Sequence, residues 1–302
     1  MAVGCGGFVH SAGTGSGHPS SGFKILITRF VGWDEMNSSL VKTISHIVGA
    51  LVLAFLLLPI FAVVPASLSD QSFVKIPPES YSFRWYEAFF ADAGWVSSML
   101  NSIKVATIAC IFTVIVGTMI AVGLTRVGAT TRMLLTGLLM APIIVPAIMI
   151  SIAIYYVSRQ VGLYGTVLGL ALGHSLLCLP FVVINVGVSL RRLDPSLLRA
   201  AAGLGASGWQ VFRTVTLPAI KPGLAGGAAF AFVTSFDEVI VSIFISGYGA
   251  KTLPVKLWEQ IRVEFTPVSA AGSTIILVLT VILFVAVQML RFRAAPGKEA
   301  QV

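Results

Sequence analysis

Two adjacent carboxylates, Asp237 and Glu238, stand in an otherwise apolar stretch running from about residue 224 to 245. An ionised carboxylate in hydrocarbon costs roughly 2.5–3.5 kcal/mol even on insertion scales, so such residues turn toward a bundle interior or a water-filled cavity. Two chemistries fit. One acid can pair with a basic group, Lys251 or Arg262 for example, and hold a gate shut. Alternatively, an acid on a solute path lowers the desolvation barrier of a passing cation, as carboxylate rings do in cation channels. Neighbouring positions on a helix point about 100° apart, so at most one of the pair faces a lumen.

The rest of the chemical inventory is sparse. Gly205-Ala206-Ser207-Gly208 has the GxSG form of an intramembrane serine nucleophile, but no histidine follows His174 to serve as its base. The segment 247–252 (GYGAKT) lacks the Gly-Lys pair of a phosphate loop. Cys5, Cys110 and Cys178 form no CxxC pair, and His10, His18, His46 and His174 are too dispersed for a metal cluster. No catalytic residue, metal or cofactor is predicted, and any ATP-driven work draws on a separate chain.

The elements that hold these residues are set by composition. Of 302 residues, 56% are hydrophobic and 11% charged, against about 25% charge in a soluble domain. An all-α, polytopic membrane protein follows. A bilayer core of about 30 Å needs about 20 apolar residues, and six stretches qualify, near 44–64, 105–124, 134–157, 165–188, 224–245 and 270–290. Pro142, Pro146 and Pro180 interrupt the third and fourth, which neighbouring helices can accommodate. The first stretch lacks a small-residue cleavage pattern and is read as a retained anchor.

With the N-terminus inside, thirteen of the twenty Lys and Arg residues fall on the cytoplasmic side, as the positive-inside rule requires. Both termini are therefore expected in the cytoplasm. The net charge of +8 is a topology signal, and no nucleic-acid partner is predicted. Residues 1–35 are rich in glycine and serine and are expected to be disordered, with Met36 an alternative natural start. Gly165, Gly169 and Gly173 at i, i+4, i+8 suggest close helix packing, and His174 on the same face suggests a buried hydrogen bond. Tyr155, Tyr156, Tyr164 and Tyr248 read as interface-belt residues.

The connector at 190–223 is the most informative segment. Asp194 followed by Pro195 is a helix start, and Gly205 suits the residue just past a helix end. Ser207 with Gln210 three residues on forms a capping-box pattern. The second arm carries Trp209, Phe212 and Val215 and is expected to end before Pro218. This elbow fits two uses. It can lie on lipid headgroups with Trp209 as an interface anchor, or it can present an aromatic knob flanked by small residues to a cytosolic partner.

The pattern Ala200-Ala201-x-x-x-Gly205, then nine residues, then Val215-x-Leu217-Pro218 resembles the EAA loop of permease subunits in binding-protein-dependent ABC importers. The resemblance implies the type I import fold, with an added first helix at 44–66, a five-helix transmembrane domain at 97–291 and cytoplasmic segments at 1–43 and 292–302. In that family the loop docks a coupling helix into the ATP-hydrolysing subunit. That implies an ATPase-coupling set of Arg199, Ala200, Ala201, Gly205, Ala206, Trp209, Phe212, Leu217 and Pro218. Arg199 stands where the family carries glutamate. The segments 84–106 and 235–279 are similar to spermidine/putrescine permeases, which implies transport of a polyamine or related solute across the inner membrane. Asp237 and Glu238 would then lie near the substrate path. The implied partners are cytosolic ATP-binding subunits, a second permease subunit, an extracytoplasmic solute-binding protein and the lipid bilayer. An ion-coupled secondary transporter is the competing reading; it calls for matching broken spans in inverted halves, and no convincing match links 44–157 to 165–290.

Overall fold

A continuous apolar stretch becomes a helix only where its backbone amides find carbonyls, and here caps and prolines decide the boundaries. The structure is a computed structural model describing residues 38–73, 76–264 and 266–294. Residues 1–35, expected to be disordered, lie outside the described residues, as does most of the 292–302 tail.

The chain divides into two units at Ile60 and Phe61. The first unit consists, among its described residues, of most of helix α1 (Ser38–Ser67), whose large side chains such as Leu51, Phe55 and Leu58 are exposed. In the second unit a short helix α2 (Arg84–Ala91) precedes α3 (Ala93–Leu124). The Asp92 carboxylate starts α3 by accepting from the amides of Gly94 at 2.6 Å and Trp95 at 3.0 Å. Next come α4 (Ala129–Ile144), α5 (Ala147–Gln160) and α6 (Val167–Arg191).

The third predicted span is a bent pair. Axes of α4 and α5 differ by 100°. Pro146 explains the break: its ring forces the preceding residue out of the helical region, and Val145 is extended at φ −72°, ψ 134°. At 16 and 14 residues neither piece reaches across a ~30 Å core by itself. Among the described residues, five other helices are long and apolar enough to cross, and the bent pair makes up to six.

The long central helices are tied together by glycine. A Cβ at Gly117 of α3 would sit 2.8 Å from Val182 Cγ1 of α6, and one at Gly227 would sit 3.1 Å from the Val182 Cα. Only missing side chains allow α6 to lie between the two neighbours, which is how membrane helices gain packing energy without a hydrophobic driving force. Ala121, Cys178, Val182, Val186, Ile220 and Ala231 fill this core. The glycine row leading into α6 behaves unevenly. Gly173 does pack, against Ile154, Val241 and Ile245. Gly165 is a turn residue at φ +74°, and Gly169 lies against the Leu163 carbonyl of its own loop.

After α6 come a short α7 (Pro195–Gly203) and the 29-residue α8 (Gly208–Phe236). Then follow α9 (Ile240–Ile245), α10 (Leu253–Val263) and α11 (Pro267–Ala294). The expected fifth span at 224–245 is therefore corrected. Its helix begins sixteen residues earlier and stops at Phe236, so Asp237 and Glu238 lie in a break rather than inside a helix.

Candidate functional site

The elbow is built from local signals. The Asp194 carboxylate accepts the Ser196 amide at 2.8 Å, with Pro195 in the first turn of α7. That hydrogen bond holds its carboxyl below the ordinary carboxylate range, so the cap is in place at neutral pH and is lost as pH falls through the depressed value. The far end of α7 closes with two bonds, Gly205 N–H to Ala202 O at 3.0 Å and Ala206 N–H to Ala201 O at 3.2 Å. This pair is the Schellman arrangement, which needs a left-handed residue at its bend. Gly205 supplies it at φ +84°.

Ser207 then starts α8. Its hydroxyl accepts the Gln210 amide at 3.4 Å while its own amide donates to Gln210 Oε1 at 2.7 Å. The serine of the GxSG sequence is thus a capping residue. The helix does not end before Pro218, as the sequence suggested. It widens into a π-turn over Phe212–Thr216, where the Leu217 amide reaches the Phe212 carbonyl, and continues through Leu217 and Pro218. A proline has no amide to place in the ladder, and the wider turn passes it into the fifth span. The second arm of the elbow and that span are one continuous rod.

Exposure sorts the predicted coupling residues. Arg199, Ala200, Gly205, Trp209 and Pro218 are exposed, whereas Ala201, Ala206, Phe212 and Leu217 are half-buried. Trp209 stacks on Phe212 with centroids 5.5 Å apart and planes at 26°. Both rings border an apolar groove of about 770 Å³ whose other wall is α3 from Val114 to Gly123, with Arg126 just beyond its end. Leu204 went unremarked in the sequence. It is 89% exposed at the apex of the bend, and the signal for it was available: a large apolar residue directly before a left-handed glycine projects from the tip.

About 40 Å along α8, at ~1.5 Å per residue, lies the break. Asp237 closes α8, its amide bonded to the Val233 carbonyl at 3.0 Å, and its side chain is exposed. Glu238 is half-buried and its Oε1 accepts the Val241 amide at 2.9 Å, capping α9. Fully buried His174 of α6 bridges the break, with Nδ1 2.8 Å from Ser235 Oγ and Nε2 3.0 Å from Ser242 Oγ. Ser242 donates to the Glu238 carbonyl at 3.0 Å. Its oxygen is then left to accept from Nε2–H, and Nδ1 accepts from Ser235. The expected structural hydrogen bond of His174 is present, doubled. Of the two cations considered as gate partners, Lys251 pairs with Glu259 at 2.8 Å and Arg262 lies over the Trp258 ring.

This architecture, an all-helical bundle with a capped elbow feeding directly into a broken span, has the fold of type I ABC importer transmembrane subunits. Residues 113–295 match the family described as binding-protein-dependent transport system inner membrane component, and the chain belongs to it. Among relatives, the chain is 28% identical over 251 residues to the spermidine/putrescine transport system permease protein PotC of Escherichia coli strain K12, covering 83% of this chain and 95% of that one. It is 30% identical over 230 residues to the putrescine transport system permease protein PotI of the same strain, covering 74% and 82%. The fold is also that of a bacterial alginate ABC transporter solved in complex with an alginate pentasaccharide-bound periplasmic protein. There the TM-score is 0.67 at 13% identity, covering 89% of this chain and 99% of that one.

Proposed function

We propose that this chain is one permease half of an ATP-driven importer for polyamines of the spermidine/putrescine class, working in the inner membrane with both termini in the cytoplasm. The second half is a different permease subunit. A solute-binding protein delivers substrate on the outer face, and two cytosolic subunits hydrolyse ATP; no residue of this chain is catalytic. The elbow is the grip for the ATPase. Ala200, Ala201, Gly205 and Ala206 set its bend, Trp209 and Phe212 form its aromatic face, Leu217 and Pro218 carry it into the membrane, and Arg199 meets an acid where relatives place a base opposite glutamate. Asp237 and Glu238 mark the substrate route.

The observation that supports this reading most is the unbroken connection from elbow to span. A push at Trp209 and Phe212 travels along α8, a rod whose far end is the acidic break, so closure of an attached motor moves the segment that lines the route. Similarity to two polyamine permeases over most of the chain supports the substrate. The test is reconstitution with the candidate ATPase, partner permease and binding protein in proteoliposomes. Spermidine uptake that requires ATP hydrolysis is expected. Uptake by this chain without the ATPase, driven by an ion gradient, would replace the proposal with the secondary-transporter reading.

A further inference from the structure

The two acids at the break are not equivalent. Glu238 is committed to capping α9, while among the described residues no hydrogen bond or ion pair engages the Asp237 carboxylate. Asp237 borders an open pocket of about 300 Å³ between the break, α10 and α11. Trp258 forms part of one wall and Ser273 contributes a hydroxyl; Val239, Leu257 and Ile276 make much of the rest apolar. Trp258 is 47% exposed, so its indole is open to a ligand.

A free carboxylate, an accessible indole and apolar walls suit one chemistry: a protonated amine on an alkyl chain. The carboxylate supplies a charge-assisted hydrogen bond to the ammonium, the ring face attracts the same cation, and the walls receive methylene groups. An anion is repelled by Asp237, and a neutral polyol finds too few polar partners. A further feature shows that the ring already takes a cation. The Arg262 guanidinium lies over Trp258 at 5.8 Å from the centroid.

We propose that Asp237 and Trp258 form an alkylammonium-binding subsite in which Arg262 stands in for the ligand cation and is displaced when an amine enters. Resting on the polyamine reading above, the subsite divides the roles: Asp237 binds, Glu238 shapes the backbone, and Trp258 discriminates charge. Arg262 keeps the ring occupied by a tethered cation when the subsite is empty and lowers the affinity, which suits a site that must release its ligand.

The same ammonium chemistry belongs to lipid headgroups, so the test uses the complete permease–ATPase assembly in nanodiscs of phosphatidylglycerol, which carries no amine. Equilibrium binding of radiolabelled spermidine is measured without the binding protein, with ATP hydrolysis as the control for assembly. Trp258→Leu weakens binding roughly three- to tenfold, Trp258→Phe restores part of it, and Asp237→Asn weakens it about tenfold or more. Arg262→Gln tightens it, and the uncharged diol of putrescine's length does not compete. Where Trp258→Leu fails to assemble, Trp258→Phe and Arg262→Gln decide. Wild-type assembly that imports spermidine while these variants bind it unchanged, or that binds none, overturns the subsite and leaves the import reading standing. Wild-type assembly that imports no amine overturns the import reading itself. Loss of the spermidine effect when ethanolamine lipid is restored identifies the lipid headgroup as the occupant and overturns a role in substrate binding.

Discussion

Replacing Gly205 by alanine isolates what the bend of the elbow is worth. A Cβ at this position meets nothing within 4 Å, so no clash contributes and the cost is backbone alone. Holding a non-glycine residue at the observed φ of +84° costs about 1–2 kcal/mol. A penalty of that size shifts the ratio of bent to unbent elbow by a factor of roughly 5–30, since the two closing bonds at Ala201 and Ala202 form only in that conformation. Asparagine tolerates the left-handed region better than alanine, so Gly205→Asn should recover much of the loss. The assay is substrate-stimulated ATP hydrolysis and uptake in proteoliposomes, with the thermal midpoint of the purified assembly as control. Alanine is expected to lower both coupled activities several-fold with little change in midpoint, asparagine to fall between alanine and wild type. Wild-type coupling in Gly205→Ala, or equal loss in the alanine and asparagine variants, refutes the conformational reasoning.

Other outcomes follow from the packing. His174→Ala removes two buried interhelical hydrogen bonds and strands Ser235, at about 0.6–1.7 kcal/mol per bond in a membrane; the thermal midpoint in detergent falls, whereas Ser242 keeps its bond to Glu238. An unchanged midpoint would mean that the histidine does not brace the break. Gly227→Val forces a branched side chain against the Val182 backbone and costs roughly 1–3 kcal/mol or more, read as loss of the monodisperse peak in size-exclusion chromatography. Arg199→Glu alters coupled ATP hydrolysis if the exposed guanidinium meets an acid on the motor, and equal activity removes that contact from the account.

The elbow was legible because its signals are local and directional. Asp194-Pro195, the glycine at 205 and the Ser207–Gln210 box each act within four residues of chain, and each was read in its correct role. Pro218 was misread as a stop because a proline's missing amide does end most helices, and a π-turn that absorbs it leaves no mark in the residue types. Pro146 was read as an interruption of the third span, but the 100° turn there was not: hydropathy runs evenly through 134–157 and records polarity, not direction. At the fifth span the acids were singled out, but hydropathy placed them inside a helix. The break depends on contacts from 61 and 68 residues away in sequence, through His174, and no local pattern announces those. Trp258 escaped notice because an aromatic on a short amphipathic helix gives no signal until the pocket beside Asp237 is seen.

The central claim is that the bent connector at Pro195–Thr216 is where a separate ATP-hydrolysing subunit takes hold. Affinity capture of the full assembly measures this directly when Leu204→Glu, Trp209→Ala and Phe212→Ala are combined in one chain. Loss of the ATPase from the captured complex, with the partner permease retained, is the expected result. A motor that stays bound, with substrate-stimulated hydrolysis undiminished, contradicts it.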